Sequence, residues 1–483
     1  MSNLRKRFHM EALETRQMMA GDVAAYVQNG NLYINEAYGQ YGLDNGVRVH
    51  QLANGMVRVE GAEANDGTAN KSLVNGAAFQ DFMIPGGLFV NLGGGHDRLH
   101  LGFDGAGSAP IFASMSINMA APEMVIAQRS ASLLLGHDTV FNTPDDDQVF
   151  GWGFHSRGGV TIKTGRGDDW VFIGTSTIGD GWGADNLTIN TGAGADTASI
   201  KGTTLLGNLR IQTFANSAEN DGDFVWLDSA LDANFNTRAT YITGNTEVYM
   251  GEGDDGFWIG DSTDPYFLSL GFMTLGSVHV STAGGADSVD ISAAKFGDAN
   301  HWSNLSIYTG AGNDDVTVDF DSSLIDVGQP SPELTGGLFI HTYGSLSDTD
   351  ADTVDIPIGQ IWNSVYLYLG GGDDTFNLAA GNWGKYLTID AGAGNDAGYA
   401  AGFLWNNADI RMGEGNDSMT LGHLRAYQLK LDGGNGVDSL RRLSPSAVDQ
   451  LFQTGWEYIN GRPTWWDDIV WDLQPATLTM ARR

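Results

Sequence analysis

Between residues 88 and 440 the chain runs in short stretches of alternating apolar and polar positions, and the stretches come in pairs. Ahead of each break stand Val160/Ile162, Leu187/Ile189, Val278/Val280 and Leu305/Ile307; behind it stand Val171/Ile173, Phe257/Ile259, Val289/Ile291 and Val316/Val318. A period of two on both sides predicts strand, corner, strand, with one face of each strand turned inward. No long i, i+3, i+4 stripe occurs; Ser446–Phe452 alone suggests a short helix. The breaks share one form, Gly-x-Gly-x-Asp. From Val365 to Leu440 it recurs at Asp374, Asp396, Asp417 and Asp438, with spacings of 22, 21 and 21 residues. A constant period of this size marks stacked units that bury their apolar faces only against one another. The expectation is an all-β fold, a parallel β-solenoid (β-helix- or β-roll-like) with one Gly-x-Gly-x-Asp corner per rung.

Earlier copies are looser. Corners end at Asp97, Asp169, Asp196, Asp255, Asp287 and Asp314, while Asp138, Asp223 and Asp352 hold the phase with degenerate glycines. The longer spacings imply insertions, expected on one face. Residues 21–87 lack the aspartate corners but carry Asn29-Gly30 and Asn54-Gly55 between alternating runs, which predicts two β-hairpins. The predicted organisation is residues 1–20 as an export signature or disordered segment, 21–87 as an N-terminal β cap, 88–440 as the repeat, and 441–483 as a C-terminal cap and tail. That tail is aromatic (Phe452, Trp456, Tyr458, Trp465, Trp466, Trp471) and reads as rings covering the last rung, or as a sugar-stacking patch.

Charge adds chemistry to this picture. The chain carries 59 acidic and 25 basic residues, a net charge of −34, which disfavours nucleic acid and anionic membranes as partners. No apolar run is long enough for a membrane helix, and the absence of cysteine excludes disulfides and thiolate metal sites. Glycines in the corner are explained by close stacking. An aspartate kept in phase is not, because stacked carboxylates roughly 5 Å apart repel one another. A dication between rungs would remove that repulsion, and oxygen-only donors suit Ca²⁺. The candidate ligands are Asp97, Asp168, Asp169, Asp196, Asp254, Asp255, Asp287, Asn313, Asp314, Asp373, Asp374, Asn395, Asp396, Asn416, Asp417 and Asp438. The other reading is a corner that simply turns.

The loops resemble the hemolysin-type calcium-binding repeat of RTX proteins, Gly-Gly-x-Gly-x-Asp-x-apolar-x; Gly433–Leu440 matches every fixed position, while Thr164, Thr191, Met250, Thr309, Leu369, Ala391 and Met412 replace the first glycine elsewhere. The resemblance implies Ca²⁺ held between turns of a parallel β-roll. Leu13–Ala20 resembles a Leu-Glu-x-Arg-x-Leu-Leu-Ala signature at the start of many planctomycete secreted and surface proteins, which implies a secreted or cell-surface location.

No catalytic constellation emerges. The ten histidines are scattered, and neither His-Glu-x-x-His nor Gly-x-Ser-x-Gly occurs. Off the repeat, Asp145-Asp146-Asp147, Trp182, Asp264-Pro265-Tyr266 and His301-Trp302 read as surface loops or as parts of a cleft. The expected function is an exported calcium-binding solenoid with a structural or adhesive role, partnered by calcium and by extracellular polysaccharide or other surface proteins. The alternatives are a carbohydrate-active β-helix enzyme and a metal-free scaffold.

Overall fold

The computed structural model describes residues 21–463 apart from 40–42, 53, 55, 64–70, 84–87, 93–96, 102–110, 113–114, 120–129, 136–145, 147, 157, 182–184, 217–218, 232–236, 261–270, 321–330, 345–348, 358, 380, 444–446 and 461. The export signature, Asp138, Trp182, Asp264–Tyr266 and Trp465, Trp466 and Trp471 therefore lie outside the described residues.

The described chain is all strand and turn, and its strands stack in parallel. The strand ahead of each aspartate forms one stack, running from Gly159–Arg166 through Leu187–Ala193, Leu209–Gln212 and Thr246–Tyr249 onward to Tyr386–Asp390 and Asn407–Arg411. The strand behind it forms a second, from Trp170–Gly174 through Thr197–Lys201, Phe224–Asp228 and Gly256–Ile259 to Ala397–Phe403. Registers hold like against like: Ile162, Ile189, Ile211 and Val248 fall in one column, and Val171, Ala198, Val225 and Phe257 in another. All eight are buried. Each Val, Ile or Phe among them contributes about 1.5–3 kcal/mol on burial, but only because the next rung covers it.

A third parallel stack was not anticipated. Short strands at Thr177–Ile178, Thr204–Leu205, Thr240–Ile242, Phe272–Thr274 and Ala294–Phe296 pair in sequence and continue to Gly381–Trp383. Each rung between Gly159 and Trp383 thus has three strands and three corners. The long connections are of two kinds: Gln212 to Phe224 and His341 to Thr353 join the first strand to the second, whereas Ile259 to Phe272 and Asp319 to Glu333 join the second to the third.

The N-terminal hairpins are as expected. Val23–Gln28 and Asn31–Glu36 pair antiparallel. Their turn residues Asn29 and Gly30 have φ of 51° and 79°, the double positive of a type I′ turn. Gly46–Gln51 pairs antiparallel with Val57–Gly61. The hairpins then hand over to the stacks by parallel pairing with Leu88–Asn91 and Arg98–Leu101. At the other end, Ser446–Phe452 forms no helix. Ala447–Thr454 is a strand laid parallel on Ser418–Asp432, because an exposed sheet edge supplies backbone partners along the whole segment. Trp456 is buried against the last rungs, while Phe452 and Tyr458 stay exposed.

The aspartate corner as candidate functional site

Most corners begin with two glycines of positive φ; at the Asp287 corner Ala283, with φ of 68°, takes the first place. Gly392 and Gly394 have φ of 105° and 143°. A Cβ on either would stand 1.7 Å from the carbonyl oxygen of Gly370 or Gly372 in the preceding rung. Gly392→Ala is accordingly expected to cost at least about 1–2 kcal/mol from backbone conformation alone, with the collision added, read as a lowered urea midpoint at unchanged secondary-structure content.

The two residues that end the corner face opposite ways. Asp97, Asp169, Asp196, Asp223, Asp255, Asp287, Asp314, Asp352, Asp374, Asp396, Asp417 and Asp438 are all at most 4% exposed. The residues just before them, Asp168, Asp254, Asn313, Asp373, Asn395 and Asn416, are exposed. The predicted ligands therefore form two rows, and neighbours in sequence do not converge on a common point.

The buried row is a hydrogen-bond ladder. Oδ1 of Asp196 accepts the backbone N–H of Asp169 at 2.8 Å, and Oδ1 of Asp223 accepts that of Asp196 at 2.9 Å. The same bond repeats at 2.8–3.0 Å through Asp255, Asp287, Asp314, Asp352, Asp374, Asp396, Asp417 and Asp438. Glu457 Oε2 accepts the last amide, from Asp438, at 2.7 Å, and Asp97 accepts the N–H of Asn45 at 2.8 Å. Asp223 and Asp352, whose corners look degenerate, are full members. The exposed row runs the other way. Asp168 accepts the N–H of Ala195 in the following rung, Asp254 that of Ala286, Asp373 that of Asn395 and Asn395 that of Asn416, at 2.7–3.0 Å. Asp146 belongs to this row, accepting the N–H of Asp168 at 3.0 Å. It is part of the repeat, not an off-pattern candidate, and Gln148 registers with Trp170 accordingly. The inner carboxylate thus ties each corner to the rung before it, an Asp or Asn in the outer row, where one stands, ties it to the rung after, and buried amides that would otherwise be unpaired are satisfied.

Burial dominates the electrostatics of the inner row. Desolvation, with neighbouring carboxylates adding, pushes Asp417 up to about 6, Asp223, Asp287 and Asp396 to about 7, Asp196 and Asp352 to about 8, and Asp255 to about 9. The amide bonds and, at Asp223 and Asp287, the hydroxyls of Thr213 and Thr282 pull the other way. Oδ2 of Asp255, Asp396, Asp417 and Asp438, which have Met250, Ala391, Met412 and Gly433 at the threonine position, is buried without a hydrogen-bond partner, and so is that of Asp196, which has Thr191 there. Carboxyls raised in this way hold their protons further up the pH range, which lessens the repulsion between neighbours in the row.

A calcium ion takes about six to eight oxygen ligands, and many of the oxygens at these corners already accept hydrogen bonds. Oδ1 is committed to an amide, the adjacent Asp or Asn faces solvent, and the loop carbonyls of Gly370, Gly392 and Gly413 accept the N–H groups of Ala393, Glu414 and Asn435 at 2.8–2.9 Å. Among the described residues no group of three or more His, Asp or Glu side chains is arranged to hold a metal ion.

A further ladder escaped the sequence reading. Asn186 accepts the N–H of Asn208, Asn208 that of Asn245, Asn245 that of Ser277 and Asn304 that of Gly337, at 2.8–3.0 Å. Its signal was an asparagine just ahead of the first strand of four rungs, at Asn186, Asn208, Asn245 and Asn304. His301 pairs with Asp298 at 2.8 Å on the surface. Comparison with protein-family models, curated proteins and solved structures finds no match to this chain.

Proposed function

We propose that the protein is an exported β-solenoid with a structural or adhesive role, in which the aspartates are architecture and no metal is required for folding. The observation that carries this reading is the inner ladder: the one acidic residue common to the rungs spends an oxygen on the amide of the rung before it. A rod built so is stiffened by every rung it adds, since each contacts only its neighbours. The Leu13–Ala20 signature supports export, and the charge of −34 supports a solvated surface that does not self-associate.

Calcium binding is the competing reading, supported by the loop resemblance and the acidity. Thermal unfolding with millimolar Ca²⁺ and with excess chelator separates the two. Equal melting temperatures and no calorimetric heat on Ca²⁺ addition are expected. A ligand that binds only the folded state raises its stability, so a melting temperature several degrees higher in Ca²⁺ would replace the scaffold reading by the calcium one.

A further inference from the structure

The corner after the third strand holds a slot that neither ladder explains. Register aligns Gln360 with Asn382 and Ile361 with Trp383, which sets Trp362 against Gly384; Asn382 aligns with Phe403, which sets Gly384 against Trp405. Two tryptophans thus stand two rungs apart with a glycine between them. Both are exposed, Trp362 by 57% and Trp405 by 69%. Between them lies a cavity of about 220 Å³ lined by Gln360, Ile361, Trp362, Gly384, Phe403 and Trp405. That is below the roughly 300–1,000 Å³ of pockets for drug-sized ligands, so it takes one ring and leaves the rest of a ligand outside.

Both indoles are held in place before anything binds. Trp362 Nε1 donates to Glu333 Oε2 at 2.9 Å, and Glu333 is itself ion-paired with Lys295. Trp405 meets Phe403 edge to face, with centroids 5.0 Å apart. Preorganised aromatic walls lower the ordering cost of binding. Backbones two rungs apart are separated by roughly 9.5 Å. A flat ring in van der Waals contact on both sides needs only about 7–8 Å, and a puckered saturated ring fills the remainder. The cations select further. On a chain with few basic residues, Lys385 follows the glycine floor and reaches toward Trp302, 5.5 Å from its ring centroid, while Arg425 sits 5.2 Å from the centroid of Phe403. Both are exposed. Among the described residues neither forms an ion pair.

We propose that the slot between Trp362 and Trp405 binds a single acidic pyranose of a polysaccharide, the sugar's C–H faces against the indoles and its carboxylate toward Lys385 and Arg425. This gives the adhesive role a ligand, yet it rests on the slot alone, so it stands or falls independently of the aspartate ladder. The test is titration of the full chain, by tryptophan fluorescence and calorimetry, with a short galacturonate oligomer and with a neutral cello-oligosaccharide. The galacturonate oligomer is expected to bind at least tenfold more tightly than the neutral one. Trp405→Ala is expected to weaken it at least tenfold, and Lys385→Gln to erase the preference for the acid. Both positions are exposed, and an unchanged circular dichroism spectrum and melting temperature show that the variants are folded. No binding at millimolar oligomer, equal binding of the two oligomers, or a folded Trp405→Ala protein that binds like the parent overturns the proposal.

Discussion

Acidification from pH 9 to pH 4.5 is expected to raise the melting temperature of this protein, opposite to the acid destabilisation that follows where native carboxylates are held ionised by ion pairs or hydrogen bonds. The inner aspartates titrate in the folded state at about 6 for Asp417, about 7 for Asp287, about 8 for Asp196 and about 9 for Asp255, against an ordinary value of 3.8. Between those limits the folded state binds more protons than the unfolded chain, so stability falls as pH rises. The contribution is fully present below about 3.8 and is lost as pH climbs through 6 to 9. For Asp287 alone the difference corresponds to at most ~4 kcal/mol, before water penetration and coupling between rungs reduce it. A melting temperature measured every half pH unit checks this. A curve that instead rises with pH would mean that the row is ionised in the folded state, as a bound dication would make it.

Replacing Asp255 separates the acceptor from the charge. Asp255 Oδ1 receives the N–H of Asp223 at 2.8 Å, its own N–H goes to Asp287, and Met250 at the threonine position offers its carboxyl no hydroxyl. Asp255→Asn keeps the acceptor and resembles the protonated acid, so at pH 6 it is expected to melt within a degree or two of the parent, and above pH 9 to melt higher. Asp255→Ala removes the acceptor and leaves the Asp223 amide buried and unpaired, at about 1–3 kcal/mol, with the loss of packing on top. Urea midpoints at pH 6 and pH 9.5 measure both. Equal destabilisation by Asn and Ala would refute the amide-cap role of the carboxylate.

Much of this was legible in the residues. The two-residue period around Val160/Ile162 and Val171/Ile173 located two strands per rung, because side chains alternate along a strand whatever lies beyond it. Asn29-Gly30 located a hairpin for a similarly local reason: few residue pairs accept two positive φ angles. The third strand was not legible, since Thr177–Ile178 is two residues long and carries no period of its own. The helix expected at Ser446–Phe452 failed where a tertiary edge outbid a local pattern.

The aspartate row shows where the division falls. The sequence by itself determined that one acidic residue recurs beside each glycine corner, that its rungs repeat every 21 or 22 residues where no insertion intervenes, and that apolar faces must be covered by neighbours. Those follow from short-range chemistry: backbone freedom, alternation and burial. Only the tertiary structure decided that Asp396 points inward and Asn395 outward, that the inner carboxylate bonds the amide of the preceding rung while the outer side chain bonds the following one, and that Trp362, Gly384 and Trp405 line up into a slot. Each of these joins residues about 20 to 40 positions apart, across insertions of unequal length. The hydrogen-bonded register between strands sets that alignment, and no local pattern encodes it.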